Sequence, residues 1–133
     1  MKNIIGFGVL FLSLGAAAEN QVIDEDPCNT PNGGARAGIL CADKRATDTN
    51  ISYEKALESA LKRLREENEY IKNPKLKQAF MKSNHDWWAF VVSECYFTGL
   101  TLTDSPWQSV QIMNCEINKT LERIKYLNNV FYG

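Results

Sequence analysis

The sequence predicts an all-α fold, a small antiparallel bundle of three main helices stapled by two disulfides. Three observations carry this. Apolar residues recur at spacings of three and four along most of residues 49–131, the period of helices that bury one face. Two breaks, Asn73-Pro74 and Asp104-Ser105-Pro106, each join a helix-capping side chain to a proline suited to the first helical position. Four cysteines, Cys28, Cys41, Cys95 and Cys115, are an even set in a short chain that opens on an export signal. No alternating apolar run is long enough to compete as a strand.

The elements follow in order. Met1-Lys2-Asn3 sets one positive charge before the apolar run Ile4 to Leu14, and Gly15-Ala16-Ala17-Ala18 supplies the small residues that a signal peptidase reads. Residues 1–18 therefore read as a secretory signal peptide cleaved after Ala18, with an apolar core too short for a stable membrane anchor. The whole chain carries a net charge of −1. Losing the leader removes Lys2 and no acid, which is too small a change to create a charge that would argue for nucleic acid or an anionic membrane. The mature chain, residues 19–133, is expected to be soluble and to reside in the periplasm or outside the cell.

Residues 19–48 read as a disulfide-tethered N-terminal loop segment. "ENQVIDEDP" is acidic, and "NTPNGGARAG" is turn chemistry throughout. Three cysteine pairings are open on paper. Cys28–Cys41 and Cys95–Cys115 are favoured because each closes a short local loop, and each is worth about 3 kcal/mol by the loop-entropy argument. None of the spacings is the short Cys-x-x-Cys of a metal or redox site, and a single histidine is too little for a mixed one. No metal and no cofactor is expected.

Residues 49–133 form the helical bundle proper, one domain with 28–48. The first helix is predicted from Thr49 or Asn50, with Tyr53, Leu57, Leu61 and Leu64 on its apolar stripe and Ala56 and Ala60 beside them. The second is predicted over about residues 74–97, with Leu76, Phe80, Trp87, Phe90 or Val91, and Cys95 facing inward. The third follows Pro106, with Val110, Met113, Ile117, Leu121, Ile124 and Phe131 on its stripe and Cys115 on the flank.

Candidate chemistry is sparse. His85 is the only histidine and Asp86 follows it; adjacent helical residues diverge, which makes a poor general base and orienting partner. Glu94 with Asp104 or Glu116 is the one carboxylate pairing to weigh for glycoside hydrolysis, and acids are too common for it to carry weight. No catalytic residue is assigned. Trp87 lies on the inward stripe. Trp88 is turned away by about 100° and stands as a binding anchor or a bundle-edge cap, and Trp107 beside the second loop is similarly ambiguous.

The cysteine-bearing part of the chain resembles the LprI-like lysozyme-inhibitor family of exported bacterial proteins. That family carries Gln-x-x-Trp, an aromatic residue and Arg-Asp-x-x-Cys, then a loop, then Cys-x-x-x-x-Thr-x-x-Arg-x-x-x-Leu. Trp87, Phe90 and Cys95 stand at the matching spacing, as do Cys115, Thr120, Arg123 and Leu127. Asn50 and Tyr53 fit its Asn-x-x-Tyr, and Cys41 fits its upstream cysteine. The departures are Asn84 for glutamine, Val91-Val92 for Arg-Asp, and Ala46 for an acid. The resemblance implies a non-enzymatic helical protein with a protein partner, lysozyme in some relatives, held off its substrate by surface blockade. On that reading the loop Thr98-Gly99-Leu100-Thr101-Leu102-Thr103-Asp104-Ser105 is the blocking element, with Trp88 and Trp107 as further partner contacts. Its rival is an exported binding module with an unrelated cell-envelope or secretion partner, because a shared fold does not fix a partner.

Overall fold

The computed structural model describes residues 26–30 and 32–130; the leader, and Phe131 of the predicted third stripe, lie outside them. A short 3-10 turn at Pro27–Asn29 precedes three helices: α1 (Gly34–Ile71), α2 (Leu76–Leu100) and α3 (Gln108–Asn129). Arg45 of α1 donates to Asn114 of α3 at 3.2 Å, and Arg63 donates to the Leu127 carbonyl at 2.5 Å. Contacts that climb together along both helices mean that α1 and α3 run the same way. Cys95 joins Cys115 while Arg123 reaches back to Asn84, so α2 runs against α3. The result is an up-down-up bundle in which α3 packs along both partners and α1 touches α2 least.

Both disulfides form in the expected order, Cys28–Cys41 and Cys95–Cys115, with Cα separations of 4.7 and 5.5 Å.

The N-terminal segment is largely helical where a loop was expected. Residues 34–48, expected as loop, are the first four turns of α1, which at 38 residues is about 57 Å long. Thr49 does not cap a helix start: its hydroxyl donates back to the Arg45 carbonyl at 2.7 Å, and Ser52 does the same to Asp48. Beyond Gly34 and Gly38 the stretch "ILCADKRATD" holds no breaker, so the turn signals end sooner than composition implied. Tertiary contacts complete the helix. Ala42 is buried, Cys41 is tied to Cys28, and Gly38 lies so close to Trp107 that an added Cβ would sit 2.7 Å from the indole.

The core seam of α1 consists of Ala42, Thr49, Ala56, Ala60 and Leu64, a stripe of mostly small residues that lets α3 come near. The larger Tyr53, Leu57 and Leu61 flank it, half-buried. From α2 come Phe80, Asn84, Val91, Cys95 and Gly99; from α3, Ile117, Thr120 and Leu127. Of the alternatives Phe90 and Val91, Val91 is fully buried and Phe90 is 56 % exposed. Leu121, expected inward, is 43 % exposed because Thr120 and Leu127 take the inward arc.

The breaks fall close to where they were expected, but the prolines are not the first helical residues: α2 and α3 begin at Leu76 and Gln108, and Pro74 and Pro106 lie in the preceding turns. Asn73 Oδ1 accepts from the Lys75 amide at 3.0 Å and Ser105 Oγ from the Trp107 amide at 3.2 Å, so they bond the residues just before each helix rather than capping its first turn. Gly99 differs from expectation: it lies inside α2, buried against α3, where an added Cβ would meet Ile112 Cγ1 at 2.3 Å. Gly99→Ala therefore forces α2 and α3 apart. A loss of about 1–2 kcal/mol is expected from this overpacking, net of the helix propensity gained, measurable as a lower urea midpoint.

Candidate functional site

Residues from all three helices meet around Arg123. Its Nε and one terminal nitrogen donate to Asn84 Oδ1 at 3.0 and 2.7 Å, and that nitrogen also reaches Ser83 Oγ at 3.2 Å. The guanidinium lies 5.3 Å from the Trp87 ring and 4.5 Å from the Tyr126 ring, close enough for cation–π attraction. Tyr53 of α1 stacks on Trp87 at 5.7 Å. Burial pushes the Tyr53 hydroxyl up from its ordinary range, against a smaller opposing effect of the Arg123 charge. Tyr53, Trp87 and Arg123 thus form one cross-helix cluster, with Thr120 and Leu127 buried on the same helix as Arg123. Phe90 stands apart, with Lys119 Nζ 5.7 Å from its ring. Asn84, noted in the sequence only as a departure, is the hub: it is 5 % exposed on the α2 core stripe. A polar residue in register with Phe80 and Val91 was the signal that could have marked it.

Beside this cluster a groove of about 400 Å³ opens between α1 and α2, lined by Asn50, Tyr53, Glu54, Leu57, Trp88 and Thr120. It is continued by a smaller recess that adds Ala46, Thr49, Glu116 and Ile117. Trp88 is 41 % exposed at its edge. Burial raises the Glu116 carboxyl above its ordinary value of 4.5. The folded protein then holds that proton more tightly than the unfolded chain, so this residue's contribution to stability falls as pH rises through 4.5 toward the folded value. Glu116→Gln is expected to raise the thermal midpoint slightly at neutral pH and to leave it unchanged at pH below that ordinary value, as read by scanning calorimetry.

The far end of the bundle carries both disulfides. Thr98, Gly99 and Leu100, expected in the loop, are the last turn of α2, since Gly99 is held by Ile112 rather than ending the helix. Thr101, Leu102, Thr103 and Asp104 make the turn itself. It is closed by its own backbone: Leu102 donates to Gly99, Thr103 to Leu100 and Ser105 to Leu102 at 2.9–3.2 Å, while the Thr101 and Thr103 hydroxyls donate to carbonyls three residues back at 2.7 Å. Asp104 adopts φ 65°, the left-handed conformation that short polar side chains tolerate. Trp107, 45 % exposed, packs against Gly38 beside the Cys28–Cys41 bridge.

The weighed catalytic groups do not gather. His85 and Asp86 do approach, at 3.5 Å, but with side chains 84 % and 55 % exposed, and Asp86 is held below the usual carboxylate range first by Lys82 and then by His85. Glu94 pairs with Lys119 at 2.8 Å, Glu116 faces the groove recess and Asp104 lies in the turn. Among the described residues no three acids, histidines or cysteines converge on one point, and no helix is long and apolar enough to cross a membrane.

The described residues thus make a small disulfide-stapled three-helix bundle with a closed turn at one end and an aromatic-edged groove along its side. The comparison of family models adds the particular family: the model described as lysozyme inhibitor LprI matches residues 39–127, and the chain belongs to that family. No curated protein and no solved structure matches it.

Proposed function

We propose that this is an exported, non-enzymatic inhibitor of lysozyme, acting in the periplasm or outside the cell by blocking the enzyme's substrate cleft. The observation that carries the reading is the family match over residues 39–127. Blockade needs a rigid projection rather than reactive groups, because ordering a loose loop on binding costs affinity. The self-bonded turn Thr101 to Ser105, anchored close behind by Cys95–Cys115, meets that need. Lysozymes are basic enzymes with carboxylates in the cleft, so a slightly acidic partner gains a little steering. The test is cell-wall lysis by lysozyme with the oxidised mature protein at tens of micromolar. Inhibition is expected, and a Leu100→Asp, Thr103→Trp variant with an unchanged circular-dichroism spectrum is expected to inhibit at least about tenfold less. Full lysozyme activity in the presence of the unaltered protein would refute the reading.

One observation favours the rival. Trp88, Val92 and Tyr96, at four-residue spacing on α2, are 41, 43 and 58 % exposed, an apolar stripe of the kind that marks protein contacts. On that reading the protein is an exported binding module for a cell-envelope partner. Trp88→Ala, Tyr96→Ser would then abolish envelope binding and leave lysozyme activity untouched throughout.

A further inference from the structure

The groove between α1 and α2 is electronegative and aromatic at once. Two carboxylates face it: Glu54 lines its wide part and Glu116 its recess. Glu116 is half-buried, and among the described residues its carboxylate has no hydrogen-bond or ion-pair partner. No lysine or arginine lines either part. Arg123, one turn beyond Thr120 on α3, is committed to Asn84, Ser83 and the faces of Trp87 and Tyr126. The indole of Trp88 and the phenol of Tyr53 supply ring surface along the walls.

We propose that this groove receives an arginine side chain of a basic protein partner, its guanidinium set between Glu116 and Glu54 and laid against Trp88. The charge balance selects this occupant. A half-buried carboxylate loses hydration when the groove is covered, and a cation offsets that loss by balancing the charge as well as hydrogen-bonding it. A neutral sugar would stack on Trp88 and could donate a hydroxyl to Glu116, but it would leave the carboxylate's charge unbalanced. A planar, weakly hydrated guanidinium can stack on the indole and bond to carboxylates together, which a lysine ammonium does less well. The inference rests on the inhibitor reading for the basic character of the partner and adds a second anchor to the turn. Twelve residues of α2 separate Trp88 from Leu100, about 18 Å, within the span of one protein interface.

Two measurements test it separately. The first is titration of the oxidised mature protein with N-acetyl-arginine amide, following the Trp88 indole N–H by NMR, with Trp88→Phe to assign the signal. A saturable shift is expected, weakened at least about tenfold in Glu116→Gln, a variant expected to fold at least as stably. The same response in Glu116→Gln, or a response to chitotriose with none to arginine amide, overturns the proposal. The second is lysozyme binding by Glu54→Gln, Glu116→Gln, expected to be about tenfold weaker at low salt than that of the unaltered protein. Strong binding by the unaltered protein with no change in the variant sinks the groove inference and leaves the inhibitor reading standing. A specific arginine response with no lysozyme binding supports the groove as a guanidinium site and removes lysozyme as its partner.

Discussion

Replacing Cys95 and Cys115 by alanine is expected to cost about 3 kcal/mol, within the 2–5 kcal/mol usual for native disulfides of small exported domains. The bridge closes a sequence separation of 20 residues that includes the α2–α3 turn, so its loss frees the unfolded chain. It also removes two sulfur atoms from beside Val91 and Gly99, on a seam where Cys95 has no exposed surface, which adds a cavity cost. Urea unfolding followed by circular dichroism measures this as a lower midpoint. The Cys28→Ala, Cys41→Ala pair serves as the contrast. That bridge closes a separation of 13 residues at the bundle end, around an exposed Cys28. Its removal is expected to fray the first turns of α1, seen as faster amide exchange over residues 34–42, with a smaller shift in midpoint. Equal global losses from both pairs would contradict the assignment of the main staple to α2 and α3.

Arg123→Ala is expected to destabilise by about 2–3 kcal/mol. The substitution removes both donors to the buried Asn84 oxygen, at 3.0 and 2.7 Å, and uncovers the Trp87 and Tyr126 faces. Asn84 is then left with an unpaired acceptor in a site that water does not readily reach, and that penalty is the larger part. A double-mutant cycle with Asn84→Ala separates the contributions: the double variant is expected to lose at least 1 kcal/mol less than the sum of the singles. Additive losses would mean that the two residues are neighbours without coupling. The cycle also bears on the chain's departure from its family. Val91 occupies a fully buried position and Val92 a partly exposed one, where relatives carry Arg-Asp. Apolar packing holds that stretch here, and the polar ties between α2 and α3 are the Arg123 bonds to Asn84 and Ser83 and the Glu94–Lys119 pair.

Much of the fold was legible because its punctuation is local. Asn73-Pro74 and Ser105-Pro106 carry their capping chemistry within a few residues, and α2 and α3 begin within two residues of where that chemistry points. The start of α1 was not legible, since Gly33, Gly34 and Gly38 weigh locally toward a loop. What makes that stretch helical is remote: Cys28, Trp107 and the α3 surface. Period alone identified Val91 and Phe90 as alternatives for one inward position, and only the placement of α3 chose Val91. The Arg123–Asn84 contact spans 39 residues, and the groove needs α1, α2 and α3 in place before Glu116 and Trp88 share a wall. Neither has a signature in sequence spacing. The turn after α2 was found by its composition, but its rigidity comes from backbone bonds that composition does not encode.

On the proposed function, the turn between α2 and α3 occupies the lysozyme cleft and excludes substrate from it. Displacement of a fluorescent chito-oligosaccharide from lysozyme by the oxidised mature protein tests it most directly. Full displacement at stoichiometric saturation, lost in the Leu100→Asp, Thr103→Trp variant, is the predicted result. A ternary complex, in which the protein binds lysozyme while the oligosaccharide stays bound, would contradict it.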